Sequence, residues 1–190
     1  MKKLIENFPA QLTEAIRIGE SAKLIESKRK ISNVLICGLG GSGIGGTIVN
    51  ELVTAEANIP ISVSKGYFIP KFVDENTLLI ISSYSGNTEE TLACLNQALK
   101  KKAKIVCITS GGKIAEIAKK KKLDLIVVPG GMTPRACLGY SLTQLLFILS
   151  FNKIISGKFK AQLNASVQLL VSEKENLVES RALLMQLERQ

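Results

Sequence analysis

LLIISSYSGNTEET, residues 78–91, decides the fold. Leu78-Leu79-Ile80-Ile81 is apolar without alternation, the pattern of a strand buried on both faces. The run ends in small hydroxyl residues, with Ser82, Ser83, Ser85 and Thr88 inside seven positions. Gly86-Asn87 supports a tight turn, and Glu89-Glu90 opens a helix, where acidic side chains complement the positive end of the dipole. A doubly buried strand that turns directly into a helix is the unit of a parallel sheet covered by helices.

The same unit recurs on both sides. Val34–Cys37, Ile59–Val63, Lys104–Ile108 and Leu125–Val128 read as further strands. Residues 43–55, 88–101, 112–121 and 137–152 read as the helices between and after them. Residues 10–29 carry Leu12, Ala15, Ile16, Ile18, Ala22 and Ile25 at helical spacing, and residues 158–188 repeat Leu and Val every three or four positions. The expectation is an α/β fold. It is a three-layer αβα sandwich on a five-stranded parallel sheet, flavodoxin-like and doubly wound, with an N-terminal helix and a C-terminal helical tail.

The 190 residues, 46% hydrophobic and 22% charged, fit one domain with a substantial core. The net charge of +9 admits two readings. One is a polyanion partner. The other is lysines closing helices, and Lys100–Lys102 and Lys119–Lys122 each sit at a predicted helix end. Trp is absent and aromatics are 5%, so no base-stacking platform stands out and no nucleic-acid partner is expected.

Cys37, Cys94, Cys107 and Cys137 form no Cys-x-x-Cys pair, and His is absent, so no metal site is expected. Reduced, buried thiols and an N-terminus without an apolar signal core suit a cytoplasmic protein. The apolar stretch 138–151 is short and interrupted by Ser141, Thr143, Gln144 and Ser150, so no membrane span is expected.

In such sheets ligands bind beyond the carboxyl ends of the strands. After the first strand comes Gly38-Leu39-Gly40-Gly41-Ser42-Gly43, a G-x-G-x-x-G whose amides could cradle an anion. A dinucleotide site also requires an acidic residue after the second strand, where this chain has Ser64-Lys65-Gly66. No cofactor is therefore expected.

In the second loop, one capping hydroxyl contributes about 1 kcal/mol, and a cap needs only one. Ser83, Ser85 and Thr88 together suit a phosphate, whose oxygens accept from several hydroxyls and helix-start amides. Glu89 and Glu90 read as dipole complements rather than bases beside an anion. In the third loop, Pro129–Arg135, Arg135 suits a carboxylate, a phosphate or a developing oxyanion, and a surface ion pair equally.

Ser83-Tyr84-Ser85-Gly86-Asn87-Thr88 resembles the Ser-x-Ser-Gly-x-Thr phosphate loop of the sugar isomerase (SIS) domain. With Gly38–Gly43 and Pro134-Arg135-Ala136, residues 30 to 150 look like the N-terminal half of bifunctional phosphoglucose/phosphomannose isomerases. That resemblance implies interconversion of glucose 6-phosphate or mannose 6-phosphate with fructose 6-phosphate through an enediolate. Ser83, Ser85 and Thr88 would hold the phosphate, Gly40, Gly41 and Ser42 the sugar, and Arg135 the enediolate.

The family's base is a Glu and its ring-opening group a His, both from a second SIS domain. Residues 1–155 would then be the phosphosugar-binding domain with its N-terminal helix, and 156–190 a helical segment leading toward that second domain. The expected partners are a hexose 6-phosphate and a second copy of the chain in a homodimer. The alternative is a stand-alone sensor, or a single-domain isomerase completed by dimerisation through helix 137–152 and the tail.

Overall fold

The computed structural model describes residues 6–173. Five strands form one parallel sheet: β1 (Asn33–Cys37), β2 (Ile61–Ser64), β3 (Thr77–Ser82), β4 (Lys104–Thr109) and β5 (Asp124–Val127). Six α-helices surround it: α1 (Phe8–Ser21), α2 (Gly40–Val53), α3 (Glu89–Lys101), α4 (Gly112–Lys121), α5 (Leu138–Phe151) and α6 (Phe159–Ser172). A 3₁₀ turn, Pro134–Ala136, precedes α5.

The strand order is β2-β1-β3-β4-β5, the flavodoxin-like doubly wound arrangement expected from the sequence. The central strand β3 is buried at every position. Because side chains alternate across a strand, each apolar run feeds two cores. Val34, Ile36, Leu78, Ile80, Val106 and Ile108 face one core, built with α1, α2 and α5. Leu35, Leu79, Ile81, Ile105 and Cys107 face the other, against Cys94, Leu95 and Ile114 of α3 and α4. Each fully buried Leu or Ile contributes roughly 1.5–3 kcal/mol relative to exposure.

The lysine runs do close helices. Lys102 and Lys122 adopt left-handed backbone (φ 57° and 54°), and their amides reach back to the carbonyls of Ala98 and Leu99, and of Ala118 and Lys119. The preceding lysines lie at the negative ends of α3 and α4.

Several boundaries differ from the expectation, among them β2, which runs Ile61–Ser64 rather than starting at Ile59. The first helix stops at Ser21 rather than running to residue 29. Ser21 Oγ donates to the carbonyls of Arg17 (2.9 Å) and Ile18 (3.1 Å), and Ala22 turns extended. Ile25, expected on that helix's apolar face, is exposed, and its amide donates to Asp124 Oδ2 at 3.1 Å. That carboxylate also pairs with Lys104 Nζ at 2.7 Å. Helix α2 begins at Gly40 rather than 43, so the glycine loop is the helix's own first turn. The tail is helical as Phe159–Ser172, and positions 174–188 of the expected helix lie outside the described residues.

The apolar helix offered as a dimer surface is α5, and its residues Tyr140, Leu145, Ile148 and Leu149 are buried within the chain. It packs against α1, α2 and the sheet, so little of it remains for a partner. Helix α6 packs on α1, and Phe159 meets Phe147 of α5 edge-on at 5.1 Å. No helix among the described residues is long and apolar enough to cross a membrane.

Candidate functional site

The order of the sheet reverses between β1 and β3, and in doubly wound sheets that reversal opens the ligand crevice at the carboxyl ends. The loops after β1 and β3 flank it. Both lead directly into helices whose N-termini have no side-chain cap: α2 after Leu39 and α3 after Thr88. Their first-turn amides carry the positive ends of two dipoles into one crevice.

Thr88 shows why the hydroxyls are present. It occupies the N-cap position of α3 but does not cap it. Its Oγ1 instead lies 3.1 Å from Ser83 Oγ. Ser83 is buried, Thr88 half-buried and Ser85 exposed, so the three hydroxyls span the depth of the loop. Ser85 Oγ accepts the Asn87 amide at 3.3 Å, a weak contact that leaves its proton to another acceptor. Glu89 is exposed and Glu90 half-buried; with burial, the two carboxylates push the phenol of neighbouring Tyr67 up.

The loop after β4 braces this hydroxyl loop. Ser110 donates to the Tyr84 carbonyl from both its amide (2.9 Å) and its hydroxyl (2.7 Å). Asn87 Oδ1 accepts the Lys113 amide at 3.1 Å, and Ile114 N donates to Gly86 O at 3.0 Å. Gly86 takes φ +68°, in the region that favours glycine.

Tyr84 joins the hydroxyl loop to the third loop. Its phenol donates to Pro129 O (2.9 Å) and accepts from Met132 N (3.1 Å). Burial, aided by contact with Cys137, pushes that phenol up, so it stays a neutral donor. Tyr84 and Ser110 carry no role in the sequence motifs, and Asn87, expected only to support a turn, also accepts the Lys113 amide. Thr109-Ser110-Gly111-Gly112, small and polar after a buried strand, was the available signal.

The glycine loop meets the third loop from the other side. A β-carbon on Gly41 would lie 3.2 Å from Pro134 O and 3.8 Å from Arg135 Cα, so any larger residue would press the Arg135 turn outward by a few tenths of an ångström. Gly40 has φ +56° with open space beside it. Ser42, nine-tenths buried, lines a small cavity with Ser82, Tyr84, Pro134 and Tyr140. Ser82 Oγ is buried there without a hydrogen-bond partner. Gly43 backs onto Gly38 O, where a β-carbon would stand 2.7 Å away. The G-x-G-x-x-G pattern therefore serves close packing of helix on strand.

Arg135 projects from the 3₁₀ turn, exposed, with no side-chain hydrogen bond or ion pair among the described residues. The structure thus joins the loops carrying Gly40–Ser42, Ser83–Thr88 and Arg135 through Gly41, Tyr84 and the shared cavity. No cluster of metal-ligating side chains occurs among the described residues.

A family model described as SIS domain matches residues 29–149. The chain belongs to the SIS domain family. It is 45% identical over 148 residues to a bifunctional phosphoglucose/phosphomannose isomerase of Caldicellulosiruptor bescii, covering 78% of this chain and 44% of that protein. It is 39% identical over 126 residues to a D-glucosamine-6-phosphate 4-epimerase of Sulfolobus acidocaldarius, covering 66% and 39%. The SIS chain thus spans less than half the length of these curated relatives. Its fold matches the C-terminal domain of glucosamine-fructose-6-phosphate aminotransferase from Francisella tularensis, with a TM-score of 0.71 at 17% identity over 94% of this chain and 57% of that one.

Proposed function

We propose that this SIS domain is the phosphosugar-holding part of an aldose–ketose isomerase that interconverts glucose 6-phosphate or mannose 6-phosphate with fructose 6-phosphate. The observation that carries the reading is the hydroxyl cluster at the start of α3, where Thr88 meets Ser83. Thr88 turns its hydroxyl to Ser83 instead of its own helix, leaving the first-turn amides and three clustered hydroxyls for an anion.

Ser83, Ser85 and Thr88 hold the phosphate. Gly40, Gly41 and Ser42 line the sugar's path, and Arg135 faces the oxygen on which charge develops as the C2 proton leaves. A cation fixed where charge develops lowers the barrier by several kcal/mol when water is excluded. The planar enediolate erases the C2 configuration, so one site can serve both epimers.

The chain contains no His, and in this reading Glu89 and Glu90 complement the helix dipole, so proton transfer falls to groups outside the site. Residues 1–155 form the phosphosugar-binding unit in this reading, and 156–190 lead toward the unit that carries the base. The names of both relatives contain a phosphorylated sugar but differ in reaction, which suits a substrate-holding half shared between chemistries. A homodimer in the cytoplasm completes the proposal. The outer face of α2, where Ile44 and Leu52 are 53% and 65% exposed, is better placed for contact than α5.

Calorimetric titration with fructose 6-phosphate tests the reading. Saturable binding by the parent chain, lost in Ser85→Ala, supports it. Absence of binding for every hexose 6-phosphate overturns it.

A further inference from the structure

The matched SIS region starts at residue 29, yet helix α1, residues 8–21, reaches the site from outside it. Gln11 is buried on α1 and uses both ends of its amide. Nε2 donates to Ala136 O at 2.7 Å, and Oε1 accepts the Gly139 amide at 3.1 Å. The first of these groups directly follows Arg135 and the second lies in the first turn of α5, so they bracket the junction of the 3₁₀ turn with that helix. The contact is close enough that a β-carbon on Gly139 would lie 2.7 Å from Gln11 Oε1. One turn further along α1, Glu14 Oε2 accepts the Tyr140 hydroxyl at 2.5 Å.

On its opposite side the same turn rests on the backbone of Gly41. The turn is therefore held between α2 and α1, while the Arg135 side chain has no protein partner among the described residues. The region its guanidinium can reach is therefore set by its backbone. A buried amide that satisfies one donor and one acceptor across more than a hundred residues fixes that backbone in direction as well as distance.

We propose that Gln11 is a positioning residue for Arg135, with Glu14 as a second tie on the same strut. The proposal rests on the role given to Arg135 above. It makes the N-terminal helix part of the site's oxyanion-holding machinery rather than a packing appendage.

The test compares two ligands by calorimetry: fructose 6-phosphate, and 5-phosphoarabinonate, whose carboxylate stands where the enediolate charge forms. Parent chain, Gln11→Met, Arg135→Ala and the double variant are titrated with both, and Glu14→Ala serves if Gln11→Met does not fold. Arg135→Ala is expected to lower the preference for the acid about tenfold or more, the size of a charge-assisted contact. Gln11→Met is expected to lower it roughly fivefold to tenfold, with fructose 6-phosphate affinity held within about twofold. In the Arg135→Ala background Gln11→Met should change nothing further, although its loss of thermal stability persists. Glu14→Ala should shift the preference in the same direction by less.

An unchanged preference in a folded Gln11→Met or Glu14→Ala chain overturns the proposal. So does an undiminished effect of Gln11→Met without Arg135, or equal loss for both ligands. If Arg135→Ala itself leaves the preference intact, Arg135 has no oxyanion role and the proposal falls with it. If the parent binds neither ligand, the phosphosugar reading fails, and the proposal fails with it.

Discussion

Gly86 faces the carbonyl of Gly111 so closely that a β-carbon would lie 1.8 Å from that oxygen. The hydroxyl loop after β3 is thus locked onto the loop after β4 by two backbones in contact, with Thr109 Oγ1 2.7 Å from the same point. Neither neighbour can yield: one is backbone, and the other already donates to Gly111 O at 2.8 Å.

Gly86→Ala should therefore cost at least about 2 kcal/mol, from positive φ and overpacking together. Denaturant unfolding would measure it. Fructose 6-phosphate binding should fall below detection in the same variant, because the displaced loop carries Ser83, Ser85 and Thr88. Retained affinity with lost stability would show that the loop's shape does not set the anion site.

Burial separates the three hydroxyls into two kinds of variant. Ser85 is exposed and held only by the Asn87 amide, so Ser85→Ala should leave the melting temperature within about 2 °C. Its affinity for fructose 6-phosphate should fall about tenfold to a hundredfold, the worth of a hydrogen bond to a charged group. Ser83 is buried against Thr88, so Ser83→Ala should lose affinity and also about 1 kcal/mol of stability. Paired calorimetry and thermal melts distinguish the two patterns. Equal stability losses at both positions would contradict the burial argument.

The thiols give a pH dependence with a definite sign. Burial, with Asp124 nearby, pushes Cys107 up to about 12, whereas an unfolded thiol titrates near 8.5. Above the unfolded value the unfolded chain loses this proton and the folded chain keeps it. The contribution is thus fully present below about pH 8.5 and is lost as pH rises toward about 12. Between pH 8.5 and 10 the loss should approach about 2 kcal/mol. Cys107→Ala should flatten that slope, whatever it costs at pH 7. Urea midpoints for both chains at pH 7, 8.5 and 10 provide the comparison, and parallel slopes would show that Cys107 does not titrate as its burial dictates.

Where the backbone pattern is periodic, the sequence could be read without the structure. Unbroken apolar runs located the strands at the centre of the sheet, because a strand buried on both faces admits no polar alternation, whereas β2, Ile61-Ser62-Val63-Ser64, alternates and is half-buried throughout. The lysine runs marked the ends of α3 and α4, because a dipole acts on whatever charge lies in its last turn. Ser21 defeated the same method. Residues 10–29 keep helical spacing throughout, but Ser21 bonds backward, and Asp124, a hundred residues away, takes the Ile25 amide. The site divides in the same way. Its motifs were visible because their residue types carry the chemistry, whereas Tyr84, Ser110 and Gln11 act by joining loops that only the folded chain brings together.

The two adjacent glycines at the start of α2 allow a last test of how the third loop is held. Gly40 has φ +56° with nothing near its absent β-carbon, so Gly40→Ala should cost only about 1–2 kcal/mol of backbone strain. Its β-carbon meets no part of the Arg135 turn. At Gly41 the conformation is ordinary, but the β-carbon would press on Pro134 O at 3.2 Å. That oxygen must move by a few tenths of an ångström, and Arg135 moves with it. Gly41→Ala should thus be the milder variant in unfolding experiments and the more damaging one for 5-phosphoarabinonate, whose affinity should drop severalfold more than that of fructose 6-phosphate. If Gly40→Ala erodes the preference for the acid and Gly41→Ala does not, the carboxylate is held by the amides of the α2 terminus rather than by Arg135.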